Sequence, residues 1–175
     1  MTLNKVSKQV NKPNTPLTLF QINVYLNIRA IKKVGCHMFV SKSEKETREF
    51  GRNLAKQLKE KDIVCIYGDL GAGKTCLVKG IVDGLGLTNE YVRSPTFPII
   101  NKYDGKSPVY HLDFYRIEAT KEIEELGIEE FFGKEGVTLI EWPEKIVKYF
   151  PQPQCEIKIK ILGENKRSFK VNFLR

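Results

Sequence analysis

No acidic residue occurs in the first 37 positions of this chain, no two of its cysteines form a CxxC pair, and it has only two histidines. Each shortage narrows the field. Cys36, Cys65, Cys76 and Cys155 lack metal-ligand spacing, and with only His37 and His111 beside them they argue against a structural zinc site. The same unpaired pattern suits a reducing cytoplasm. No apolar run approaches the roughly 18 residues of a membrane span. The first 30 residues also lack the compact apolar core of a secretory signal. The net charge of +8 invites a nucleic-acid reading, but six of the 29 basic residues (Lys5, Lys8, Lys12, Arg29, Lys32, Lys33) fall in the acid-free stretch. The remainder carries 23 basic against 21 acidic residues, so bulk charge says little about direct nucleic-acid binding.

A chain of 175 residues has room for one domain with a sizeable core. Residues 1–37 are Asn-rich and differ in texture from the rest of the chain; they read as an appended arm, disordered or preceded by a misplaced start, with the domain over 38–175. Within the arm, "FQINVYLNI" alternates like a strand. A transit peptide would be rich in Arg, and this stretch has one.

From Ser43 the signals sharpen. Ser43 and Glu46 form a capping box ahead of Phe50, Leu54 and Leu58, which recur at helical spacing. "DIVCIYG", "PVYHLDFYR" and "VTLIEW" read as strands. "KTCLVKGIVDGLGL" reads as a helix closing at Gly84 to Gly86, "EATKEIEELGIEEFF" as an acidic amphipathic helix, and "PEKIVKYF" as a short helix started by Pro143. The tail forms two alternating runs about "GENK", a hairpin. Strands alternating with helices predict an α/β fold: a single, mostly parallel sheet of the P-loop NTPase kind with a C-terminal antiparallel hairpin.

The chemistry is densest at "GDLGAGKTC", that is Gly68, Asp69, Leu70, Gly71, Ala72, Gly73, Lys74, Thr75 and Cys76. Gly-x4-Gly-Lys-[Ser/Thr] is a phosphate cradle: glycines let backbone N–H groups converge on phosphate oxygens, Lys74 adds a mobile charge, and Thr75 offers a hydroxyl to Mg²⁺. The strand before it and the helix after it are the context this motif requires. Cys76 stands at a helix start, where a thiolate is favoured, though packing is the commoner role. The metal needs oxygen ligands at a neighbouring strand end. Alternation puts His111 and Asp113 on one face of their strand, and Glu141 follows a buried apolar run, where a carboxylate is costly unless a cation or water meets it. His111 reads equally well as a satisfied structural histidine. "NKYD" (101–104) matches the guanine-reading signature of GTPases, but it stands ahead of Asp113 and beside Gly105; it reads as a turn.

"GDLGAGKT", "SPTF" (94–97), "YHLDFYR" (110–116), "EELGIEEFF" (124–132) and "IEWPE" (140–144) occur in this order and spacing. Together they resemble the TsaE (YjeE) family, small bacterial ATPases required for threonylcarbamoyl modification of adenosine in tRNA. The resemblance runs from about Met38 to the hairpin. It implies binding of ATP with Mg²⁺, metal ligation by Thr75 and Glu141 with Asp113 beside them, and a γ-phosphate-sensing loop at Thr96. Lys74, Asp113 and Glu141 are then the catalytic candidates, and Glu44 and Arg167 further nucleotide contacts. It also implies two partners, TsaD and TsaB, with tRNA reached through their assembly and no membrane involved. Cys76 replaces a Thr common in the family. A small-molecule kinase or a nucleotide-dependent binding switch remains the alternative, since fold alone does not choose.

Overall fold

Short runs of Ile, Val and Leu make the middle of the sheet. The computed structural model describes residues 35–87, 92–97, 99–118, 120–133, 135–149 and 151–174, so the alternating stretch at 20–28 lies outside the described residues. Strands β2 (Ile63–Tyr67), β4 (Val109–Asp113), β5 (Val137–Glu141) and β6 (Cys155–Ile161) run parallel as neighbours. Beyond β4 lies β3 (Ile100–Tyr103), antiparallel to it; beyond β6 lies β7 (Arg167–Phe173), antiparallel to β6, and then β1 (Gly35–Ser41), antiparallel to β7. The order across the sheet is β1-β7-β6-β2-β5-β4-β3. The expected α/β sheet is present, and its parallel part is confined to the four middle strands. The hairpin β6–β7 sits inside the sheet rather than at its edge, because β1 pairs along the whole of β7. Among the described residues, the pairing of β1 starts at Gly35, three residues before Met38.

Two helices cover one face. Helix α1 (Glu44–Ala55) starts at Ser43, whose Oγ accepts the Glu46 N–H at 3.1 Å. The Glu46 carboxylate in turn accepts from Lys42 N at 2.8 Å, one residue further back than the usual reciprocal bond. Helix α2 (Lys74–Gly84) follows β2 directly. Phe39 from β1, Phe50 from α1 and Phe169 from β7 stack in this layer, Phe39 and Phe50 with ring centroids 4.3 Å apart. The opposite face is closed by Phe114, Ile117, Ile123, Ile128 and Ile146. The acidic stretch that reads as one helix is two pieces: α3 (Thr120–Glu125) and a 3₁₀ turn at Ile128–Phe131, divided by Gly127 at φ 57°. The helix expected after Pro143 is a single 3₁₀ turn, Pro143–Lys145.

Helices α1 and α2 touch backbone to backbone. A Cβ on Gly80 would lie 2.3 Å from the carbonyl oxygen of Arg48, and one on Gly51 would lie 2.7 Å from that of Leu77. Arg52 reaches across the same contact to pair with Asp83. This approach seats α2 against α1 and so determines where its first turn stands over the sheet. Gly80→Ala forces the helices apart and should cost about 2 kcal/mol. Urea unfolding should show a lower midpoint with an unchanged slope; an unchanged midpoint would show that the helices separate freely.

Candidate functional site

Strand β2 ends at Tyr67, and the chain turns through residues 68–73 into α2. Gly71 and Gly73 adopt φ of 75° and 96°, which L side chains rarely take, and a Cβ on either would meet nothing within 4 Å. These glycines are there for backbone shape rather than close packing. Helix α2 has no side-chain cap and no acidic residue in its first turn, so its leading N–H groups and its positive end are left for an anion. The buried Lys74 donates Nζ–H to the carbonyls of Gly68 at 2.6 Å and Asp69 at 2.9 Å. Its ammonium stands 3.8 Å from the centroid of the Trp142 ring. Trp142 takes φ 58°, and that sharp turn after β5 accompanies the stacking of the indole on the lysine. Burial pushes the Lys74 ammonium below the ordinary lysine range, opposed by the charges of Glu141, Asp113, Glu144 and Asp69.

The carboxylates come from the next two strands. Register aligns Ile66 of β2 with Glu141 of β5 and Asp113 of β4. Both acids share a face with Val109, Val137 and Leu139, the face that α1 and α2 cover. Thr75 Oγ1 donates toward Glu141, 3.0 Å from Oε1 and 3.3 Å from Oε2. Asp113 Oδ1 accepts from Tyr115 N at 2.9 Å. Its Oδ2 accepts from the hydroxyls of Ser94 and Thr96, the latter at 3.2 Å, and those hydroxyls lie 2.8 Å apart. Lys74, Thr75, Ser94, Thr96, Asp113, Glu141 and Trp142 line one cleft of about 350 Å³.

Among the described residues no group of three His, Cys, Asp or Glu forms a protein-only metal cage. The hydroxyl–carboxylate pair of Thr75 and Glu141, with Asp113 on the adjacent strand, is the hard oxygen set that suits Mg²⁺ when phosphate and water complete it. A second recess, about 260 Å³, opens on the other side of the loop and shares Gly73 and Cys76 with the first. Glu44 lines it at the start of α1, and its carbonyl accepts from Cys76 Sγ at 3.6 Å while its carboxylate pairs with Arg48. Burial and the Glu44 charge raise the Cys76 thiol, with Arg48 opposing, so the helix start leaves it a packed thiol. Arg167 lines the same recess from the hairpin and reaches the Gly71 carbonyl at 3.4 Å. Ala72 is buried beneath the loop, and Leu70 is exposed at its tip.

Every residue expected at the site from sequence therefore lies in or beside these two recesses. Ser94 and Trp142 were missed; both are local neighbours of expected residues, and nothing in their spacing marks their side chains as facing the cleft. "NKYD" is a strand rather than a turn: Asn101 to Tyr103 belong to β3. Because β3 is antiparallel to β4, Tyr103 pairs with Val109 and Asp104 comes out at the sheet edge opposite the cleft, paired with Lys102 at 2.6 Å.

Residues 41–169, a span that includes Glu44 through Arg167, match the family described as "Threonylcarbamoyl adenosine biosynthesis protein TsaE". The chain is similar to the tRNA threonylcarbamoyladenosine biosynthesis protein TsaE of Bacillus subtilis, 45% identical over 70% of this chain and 76% of the relative. It is 42% identical to the protein of that name from Rickettsia typhi over 78% of this chain and 97% of the relative. The corresponding Treponema pallidum protein is 35% identical, over 75% and 97%. Among solved structures, Bacillus subtilis YdiB superposes with a TM-score of 0.68 at 33% identity, covering 82% of this chain and 88% of that one.

The position of Asp104 yields a direct expectation. Asp104→Asn should leave the ratio of adenine- to guanine-nucleotide affinity unchanged in competition against a fluorescent analogue. A guanine preference that vanished with Asp104 would show that the motif reads a base after all.

Proposed function

This chain belongs to the TsaE family of tRNA threonylcarbamoyladenosine biosynthesis, and on that premise we propose that it is an accessory Mg²⁺-dependent ATPase of that pathway. The observation that carries this reading is the single cleft where Lys74, Thr75, Glu141 and Asp113 meet the hydroxyls of Ser94 and Thr96. In it, Lys74 and the loop amides would hold phosphate oxygens, and Thr75 and Glu141 would hold the metal. A bound Mg²⁺ neutralises charge that develops on the transferred phosphoryl group. Asp113, gripped by two hydroxyls and one N–H, would keep an acceptor oriented for the attacking water. Thr96 links that acid to the segment that senses the terminal phosphate. Glu44 and Arg167, which line the second recess, would contact the nucleotide.

Phosphate passes to water and none to tRNA. Hydrolysis supports repeated turnover of a cytoplasmic assembly with TsaD, which transfers the threonylcarbamoyl group, and TsaB; tRNA is met through that assembly. A kinase would screen the transferred group with arginines. Here Arg116 is stacked 3.8 Å over the Phe97 ring, and no arginine is among the described residues that line the cleft, which favours hydrolysis.

Phosphate release measured without an acceptor, then with TsaD and TsaB added, tests this reading. Lys74→Ala should weaken ATP binding by about 1.5–3 kcal/mol, one to two decades. Glu141→Ala and Asp113→Ala should bind ATP within about tenfold of wild type and hydrolyse it roughly a hundredfold slower. None of the three should restore threonylcarbamoyladenosine in cells depleted of the native protein, by mass spectrometry of tRNA nucleosides. Normal levels of that nucleoside on depletion would remove the chain from the pathway; near-normal hydrolysis by Glu141→Ala would remove only that residue from the site.

A further inference from the structure

His111 is fully buried, does not line the cleft, and yet touches its central carboxylate. A buried imidazole needs a partner for each ring nitrogen. Nε2 lies 2.9 Å from Glu141 Oε1, and Nδ1 lies 3.3 Å from the Tyr103 hydroxyl. That hydroxyl is 3.4 Å from Asn101 Nδ2, which also lies 3.4 Å from the carbonyl oxygen of Arg93. One tautomer serves every contact: Nε2–H donates to the carboxylate, Nδ1 accepts the tyrosine O–H, and the tyrosine oxygen accepts the amide. Burial pushes the Tyr103 phenol above its ordinary range, so it stays a donor.

The pattern of contacts assigns this histidine a task. Thr75 approaches both oxygens of Glu141, at 3.0 and 3.3 Å, and so does not choose between them. His111 bonds Oε1, which selects one rotamer and leaves Oε2 free of the imidazole. The bonds then run along β3, where Asn101 pairs in register with His111, and end at Arg93. The next residue, Ser94, holds Asp113 together with Thr96. Two separate carboxylates of one cleft are thus joined by a path of hydrogen bonds and the Arg93–Ser94 backbone, buried at His111 and Glu141 and reaching the surface at Arg93.

We propose that His111 is a positioning residue: it orients Glu141 for the metal, and through Tyr103 and Asn101 it ties that carboxylate to the segment carrying Ser94 and Thr96. The inference rests on the reading of Glu141 as a metal ligand. Partners of this kind typically change metal affinity by about 10–100-fold when removed.

The test uses the full chain with Mn²⁺ in place of Mg²⁺ and ADP as nucleotide, free Mn²⁺ being read by electron paramagnetic resonance. His111→Leu removes both nitrogens at similar volume; His111→Gln returns an amide N–H near the position of Nε2; Tyr103→Phe cuts only the path to β3. His111→Leu should bind ADP in EDTA as wild type does, lose about tenfold in Mn²⁺ affinity, and lose kcat for ATP with KM little changed. His111→Gln should recover most of the Mn²⁺ affinity. Tyr103→Phe should retain that affinity to within about threefold while lowering kcat, since it leaves the bond to Glu141 in place. If His111→Leu does not fold, the other two variants decide: weak Mn²⁺ binding by a folded His111→Gln, or unchanged kcat in Tyr103→Phe, overturns the corresponding half of the proposal. Wild-type Mn²⁺ affinity in a folded His111→Leu overturns it outright. A wild-type chain that does not bind Mn²⁺ with ADP instead overturns the metal-dependent ATPase reading itself.

Discussion

A carboxylate buried at the end of an apolar strand is the constraint around which this molecule is arranged. Glu141 is 2% exposed and closes β5, all of whose residues are buried. An ionised group in that position is costly unless opposite charge and hydrogen bonds surround it. Thr75 from the first turn of α2 and His111 from β4 supply the bonds, and Lys74 supplies nearby positive charge. Three elements that are distant in sequence are thereby held to one atom group. In the proposed reading, the same group would also be the one offered to a metal ion.

Placing the donors takes a rigid frame. Parallel pairing of β2, β5 and β4 sets Ile66, Glu141 and Asp113 in one row, so both acids stand level with the end of the strand that feeds the loop. The glycine contact between α1 and α2 holds the first turn of α2 above that row. Residues 92–97, in contrast, form neither helix nor strand and meet the site through two side-chain hydroxyls.

Much of the frame was legible because its signals are local. The loop glycines, the capping residue Ser43 and the alternation in "VYHLDFY" each act within a few residues, and the structure carries all of them. The failures have physical causes too. Strands β1 and β3 are edge strands with one exposed side, and their residues lack the continuous apolar pattern that marks β2 and β5. The acidic stretch before β5 has helical spacing throughout, but Gly127 in the left-handed region ends α3 after Glu125. Glycines at 51, 80 and 84 gave no sign that they admit a second helix, because that need arises only when the two helices meet.

Sequence by itself determined the kind of chemistry: a loop whose backbone can wrap phosphate, a lysine and a threonine at its end, and two acids at strand ends. Spacing along the chain suffices for these, because each depends on the φ of a glycine or the period of a strand. Only the tertiary structure decided which partners those groups have. The bond from Thr75 to Glu141 spans 66 positions and that from His111 to Glu141 spans 30. Whether His111 is packing or part of the site depended on which side chain the neighbouring strand sets against it. That is a matter of register, and register is fixed by pairing across the sheet rather than by neighbours along the chain.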